Sequence, residues 1–147
     1  MRRRAADAYG TRMDWFERIM ALREGRLPAA EAAFDDAEPV RWECARTPGL
    51  DARLVRSLAH DPSAGVRAAI AARPDLDARL VEDLSWDDSP LVRAAIAGRA
   101  DLDEGIRARL RGDMDERVLA ALGEWDRALL IQSMPERPAP PKKGWFR

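Results

Sequence analysis

Leu50-Asp51-Ala52-Arg53-Leu54 and Val66-Arg67-Ala68-Ala69-Ile70-Ala71 return 26 residues later as Leu76-Asp77-Ala78-Arg79-Leu80 and Val92-Arg93-Ala94-Ala95-Ile96-Ala97. After one more period they appear in weakened form, as Leu102-Asp103-Glu104-Gly105-Ile106 and Val118-Leu119-Ala120-Ala121-Leu122-Gly123. One period back from Asp61, Val66, Arg67, Ala71 and Pro74 stand Asp35, Val40, Arg41, Ala45 and Pro48, so a degenerate first copy occupies 27–48. Four copies thus span residues 27–123. A unit this short cannot enclose a core, so each copy must bury its apolar side against its neighbours.

Within a copy the apolar spacing predicts two short helices. The first follows Asp51 or Asp77, whose carboxylate can accept from the free N–H groups of the opening turn, and it buries Leu54 with Leu58, or Leu80 with Leu84, at i and i+4. Leu50 with Val55, and Leu76 with Val81, flank that cap as hydrophobic staples. The second follows Ser63, Ser89 or Asp115, with Pro90 at the first helical position, and buries Val66 with Ile70, Val92 with Ile96 and Val118 with Leu122. Pro74 prevents its continuation. Helices of about nine residues are only about 14 Å long and do not persist alone. The fold expected is therefore all-α, a short α-solenoid of about four two-helix repeats.

Outside the copies, Thr11 precedes Met13, Trp15, Phe16, Ile19, Met20 and Leu22, with Gly25 closing the pattern, which predicts an N-terminal capping helix within a basic segment 1–26. Trp125, Leu129, Leu130 and Ile131 predict a closing helix, completing a repeat body of 27–133. Residues 134–147 hold Pro135, Pro138, Pro140 and Pro141, and are expected to form a basic tail without helix or fixed structure.

The chain has 147 residues and a net charge of -1. Residues 1–26 and 134–147 each carry +3, which leaves -7 between them. A body that grips nucleic acid needs a basic surface to displace counterions from phosphates, so the acidic middle argues against one and only the basic ends suit a polyanion. No run approaches the roughly 18 apolar residues of a membrane span, and Met1-Arg2-Arg3-Arg4 is not followed by an apolar signal region. A cytoplasmic protein is expected. Cys44 is the single cysteine, so neither an internal disulfide nor a cysteine-held metal or cluster is expected.

The frame Leu-Asp-x-x-Leu, then Asp, then Val-Arg-Ala-Ala-Ile-Ala and Pro, resembles the leucine-rich repeat variant family, short relatives of the HEAT-type repeats. That resemblance implies a right-handed superhelix of alternating short helices. The spacing from Asp35 to Arg41, Asp61 to Arg67 and Asp87 to Arg93 is similar to the HEAT pattern, in which Asp and Arg form a structural ladder between adjacent repeats. Leu119 replaces the arginine in the last copy while Asp113 remains, as expected where no further repeat follows. The iron–sulfur cluster of a founding member does not transfer, because its cysteines are missing here. The family shares no activity, and a fold alone supplies none.

Cys44 occupies the column of Ile70 and Ile96 and reads as a core residue. His60 is the only histidine and adjoins Asp61 at a turn. No nucleophile with a base, metal quartet or Gly-rich phosphate loop can be assembled, so no enzyme, cofactor or small-molecule substrate is expected. Two features point instead to a protein or peptide partner. Phe34, His60 and Trp86 precede the aspartate of successive copies, a possible aromatic rim. Ala68, Ala69, Ala94, Ala95, Ala120 and Ala121 smooth the second helices, interrupted by Trp42 in the first copy. The expected function is a non-catalytic binding adaptor, with a nucleic-acid accessory factor using the basic ends as the alternative.

Overall fold

The computed structural model describes residues 14–135, and all regular structure in them is helical. The capping helix α1 (Trp15–Arg23) is followed by α2 (Ala29–Ala32) and α3 (Glu38–Arg46), the first copy. The next copies are α4 (Ala52–Leu58) with α5 (Ala64–Ala71), α6 (Ala78–Leu84) with α7 (Pro90–Ala97), and α8 (Glu104–Leu110) with α9 (Glu116–Ala121). The closing helix α10 is Trp125–Gln132.

Side-chain caps open five of these ten helices, four of them at residues that the sequence points to and the fifth at Asp103. Asp51 accepts from the Arg53 N–H, Asp77 from Leu80, Asp103 from Gly105 and Ile106, Ser63 from Gly65 and Val66, and Asp115 from Arg117. Ser89 is the exception, since its hydroxyl accepts no cap bond above Pro90. In the first copy the aspartate column is vacant, Gly25 standing where Asp51 and Asp77 do, and α2 shrinks to four residues after Pro28.

The second helices stack in chain order, α3 on α5 on α7 on α9, with α1 against α3 at one end and α10 against α9 at the other. The first helices lean on this row: α4 touches α3 and α5, and α6 touches α5 and α7. Val40, Val66, Val92 and Val118, together with Cys44, Ile70 and Ile96, are fully buried along the row, and Leu58, Leu84 and Leu110 close over them from the first helices. Repetition at 26 residues thus becomes one continuous core, with each copy completing its neighbour's.

The expected capping and closing helices are both present, and each leaves large apolar side chains outside. In α10 the buried side chains are Ala128 and Ile131, while Trp125, Leu129 and Leu130 face outward. Among the described residues only one side of this helix has a neighbour, so the apolar side chains on its other side stay uncovered. In α1, Ile19, Ala21 and Leu22 are buried, whereas Trp15 and Phe16 are exposed and meet edge to face at 6.1 Å. The expectations for Met13 and for most of the 134–147 tail fall outside the described residues.

The helix ends of the row are closed in two ways. After α1 and α9 the chain turns through glycines with positive φ, Gly25 and Gly123. Arg26 then donates its N–H to Ala21 O at 2.8 Å and Glu124 donates to Leu119 O at 2.9 Å, a geometry that a side chain at the glycine would strain. The inner helices α3 and α5 are capped by a side chain from the following copy. Arg73 gives Nη1 to Ala45 O and Thr47 O at 2.7 and 2.8 Å, and Arg99 gives Nη1 to Ala71 O and Arg73 O. Both arginines are buried and rest their remaining nitrogens on an aspartate two residues on, Asp75 and Asp101.

This pairing sets an acid limit. The Arg73 hydrogen bonds hold the Asp75 carboxyl below the usual carboxylate range, and those of Arg99 do the same for Asp101. Their contribution is full above the unfolded value near 4 and is lost as pH falls through the lower folded values. The urea midpoint is accordingly expected to hold steady down to about pH 5 and to fall below about pH 4. Replacing both with asparagine should flatten that fall, and an unchanged profile would contradict the assignment.

Candidate interaction surface

A repeated arginine bridge fixes each copy to the next. Arg41 donates Nε to Asp61 Oδ2 at 2.7 Å and Nη2 to Asp61 Oδ1 at 3.2 Å, while its Nη1 reaches back to Asp35 O at 2.8 Å. Arg67 bridges Asp87 and Asp61 O in the same way, and Arg93 bridges Asp113 and Asp87 O. The guanidinium therefore takes a backbone carbonyl of its own copy and both carboxylate oxygens of the next, a match for its planar fork. Each of these aspartates also accepts the N–H two residues on: Ser63 for Asp61, Ser89 for Asp87, and Asp115 for Asp113. One carboxylate thus closes its own turn and locks the preceding copy onto it.

The first rung is built differently. No copy precedes Asp35, and Arg18 of α1 approaches it at 3.4 Å and Asp36 at 3.2 Å. Burial pushes Asp35 up, whereas the hydrogen bond from Asp35 and the charge of Arg18 pull Asp36 down. At the other end Leu119, in the arginine column, is fully buried and packs with Ala128 and Ile131 of α10. The column holds arginine where a copy follows and leucine where a plain helix does.

Arg67→Ala is expected to lower stability by about 1 to 3 kcal/mol, by leaving Asp87 and the Asp61 carbonyl without their donor. Arg53→Ala, on the exposed side of α4, should cost less than about 0.5 kcal/mol. Equal small shifts in a urea titration would sink the structural reading of the ladder.

The rim residues hold equivalent places. Phe34, His60 and Trp86 each donate a backbone N–H three residues back, to Glu31, Ser57 and Asp83, so all three cap the end of a first helix. Their side chains differ. Phe34 is 68% exposed. His60 is exposed, with Nδ1 2.8 Å from Arg56 O, which places a proton on that nitrogen. Trp86 is half-buried: its Nε1 donates to Glu82 at 2.9 Å and the Arg109 guanidinium lies 4.0 Å above its ring. Arg109 also bonds Glu82 and the buried Ser85 hydroxyl, so Trp86 forms part of a clamp from α6 to α8. Sequence spacing could not foresee this, because Arg109 stands outside every motif.

The second surface lies on the row itself. Trp42 is exposed on α3, with the Arg46 guanidinium stacked 4.4 Å from its ring. Beside it a depression of about 360 Å³ opens between the ends of α3 and α5, lined by Arg46, Pro48, Gly49, Ala69, Ala72 and Pro74. Ala94, Ala95 and Gly98 continue this smooth strip onto α7, edged by the exposed Leu91.

No protein-family model matches the chain, and no curated protein or solved structure matches it either.

Among the described residues no helix is long and apolar enough to cross a membrane, and no group of three or more His, Cys, Asp or Glu side chains is arranged to hold a metal ion. Cys44 is fully buried with Sγ 3.5 Å from Ala29 O, and burial pushes its thiol up to about 11 against a weaker pull from Arg73. A thiolate is the reactive form. The native protein at pH 8 should therefore resist a water-soluble disulfide reagent and react fully once unfolded in denaturant. Fast modification of the native state would show that this helix row opens readily.

Proposed function

We propose that this chain is a short cytoplasmic α-solenoid of the leucine-rich repeat variant kind, and that it works as a non-catalytic adaptor for a protein or peptide segment. The observation that supports this most is the strip beside Trp42. Half-buried or exposed Ala69, Ala72, Ala94, Ala95 and Gly98 lie along α5 and α7, the first two lining a depression, with the large apolar side chains of Trp42 and Leu91 exposed on α3 and α7. Small residues let a bound backbone approach closely, while an exposed tryptophan supplies contact area at little entropic cost. The ladder arginines are committed to carboxylates and carbonyls. Arg46 on the strip makes its contact with the Trp42 ring, which leaves its charge facing outward for an acidic or C-terminal carboxylate group on the partner.

The test places a photo-crosslinking residue at Ala69 or Ala95 in the producing cell, then titrates the captured partner with purified wild type, Ala69→Arg and Ala95→Arg. Binding is expected to weaken at least about tenfold in both arginine variants, with melting temperature little changed. Unaltered binding in both would overturn this location. Loss on Phe34→Ala and Trp86→Ala instead would move the site to the rim. Capture of nucleic acid, released at moderate salt, would favour the alternative through the basic ends.

A further inference from the structure

The depression between the ends of α3 and α5 carries one charge that the fold leaves unused. Three charged side chains line it, Arg46, Arg73 and Asp75. Arg73 gives Nε and Nη2 to Asp75 and Nη1 to Ala45 O and Thr47 O, so these two charges answer each other. Arg46 makes no ion pair among the described residues, and its guanidinium lies 4.4 Å from the exposed Trp42 ring. A guanidinium held over a ring keeps an N–H edge free, and that edge matches both oxygens of one carboxylate. The remaining lining is small or apolar, and about 360 Å³ is at the lower end of ligand pockets, which start at roughly 300 Å³.

The repeat shows that this combination occurs at one interval of the row. One period on from Arg46 and Gly49 stand Ala72 and Asp75, and a further period brings Gly98 and Asp101. The later intervals therefore hold a small residue and a carboxylate where the first holds a cation and a glycine. The neighbouring columns change in the same direction. Trp42 and Glu43 of α3 correspond to Ala68 and Ala69 of α5 and to Ala94 and Ala95 of α7. Arg23 of α1 bonds Glu43 at 2.8 Å, which leaves Arg46 as the unpaired charge of this part of α3. A segment laid over the small side chains of α5 and α7 thus meets large side chains and a cation on reaching α3. A chain that continued would have to pass over Trp42, whereas a chain that ends there brings its carboxylate to Arg46.

We propose that the adaptor surface takes the C-terminus of its partner, with the terminal carboxylate on Arg46 and an apolar last side chain in the depression against Ala69 and Ala72. The preceding residues extend over Ala95 and Gly98. This rests on the adaptor reading and names the class of segment that the surface accepts.

Short synthetic peptides of random sequence with free C-termini, and the same peptides as C-terminal amides, test the proposal by fluorescence anisotropy against the full chain. Amidation is expected to weaken the peptides that bind at least about tenfold, and an apolar residue should recur at their last position. Arg46→Gln should abolish the difference between acid and amide, a readout that general unfolding does not imitate. The comparison in wild type needs no variant. Equal binding of acid and amide by wild type overturns the proposal, and so does the absence of any bound peptide. Equal binding of amidated peptides that carry an internal Asp or Glu overturns it too, and assigns Arg46 to an acidic side chain. Ala69→Arg and Ala95→Arg separate this failure from that of the adaptor reading: peptides that bind as acid and amide alike but are weakened by both variants leave the adaptor surface standing, and peptides insensitive to both variants overturn the surface together with the proposal.

Discussion

Arg93→Ala is expected to cost about 3 to 5 kcal/mol, the largest loss from any single rung of the ladder. Arg93 and Asp113 are 5% exposed each, so removing the guanidinium strands a buried carboxylate. The backbone carbonyls of Asp87 and Asp88, which Arg93 also holds, lose the same donor. Side-chain exposure rises from 7% at Arg93 to 18% at Arg67, so water can replace more of what Arg67→Ala removes. The order of loss should follow that exposure. A single-domain protein has only about 5 to 15 kcal/mol of stability in total, so the variant is expected to be part-unfolded at 37 °C, with a urea midpoint far below wild type. Arg93→Lys restores the charge without the fork and should recover only part of the loss. Full recovery by lysine would show that charge alone mattered, and a loss under about 1 kcal/mol would show that Asp113 is readily solvated.

Leu119→Arg would make the fourth copy read like the other three, and it is nevertheless expected to be among the most damaging substitutions in α9. Leu119 has no exposed surface and seals α9 against Ala128 and Ile131. Arginine there would lose about 2 to 3 kcal/mol of apolar burial and place a charge where no aspartate of a further copy waits. The cheapest escape is for α10 to lift away, so the loss is limited by the free energy that docks this last helix. Hydrogen exchange should show the amides of α10 losing protection while those of α5 and α7 keep theirs. Protection retained in α10 would mean that the arginine found a partner, and the packing account of this column would be wrong.

The repeat, its length and the number of copies were legible because each copy meets the same neighbour in the same way, so the same side chains recur at 26 residues. The caps were legible for a related reason. Asp51, Asp77 and Ser63 bond to N–H groups two or three residues on, a distance that local chain geometry sets. The spacing from Asp61 to Arg67 also announced a bridge, though the carboxylate that Arg67 grips is Asp87, twenty residues along, and its own copy supplies only a carbonyl. The second arginine row was present as Arg73-Pro74-Asp75 and Arg99-Ala100-Asp101, and its recurrence at the same period was the available signal.

Sequence by itself therefore determined the helices and most of the core columns, which follow from contacts within a copy or from strict repetition, although Leu54 and Leu122, expected in the core, are only half-buried. Tertiary structure alone decided how exposed each of those residues is. Phe34 and Trp86 occupy one column and make the same backbone bond, yet Phe34 stands in solvent while Trp86 lies under Arg109. Trp125, Leu129 and Leu130 mark the expected closing helix and face outward, because among the described residues the row supplies α10 with one neighbour where the inner helices have two. Periodicity reports which side chains share a face of a helix. Whether that face is covered depends on what stands across from it, and at the ends of a row the repeat no longer says.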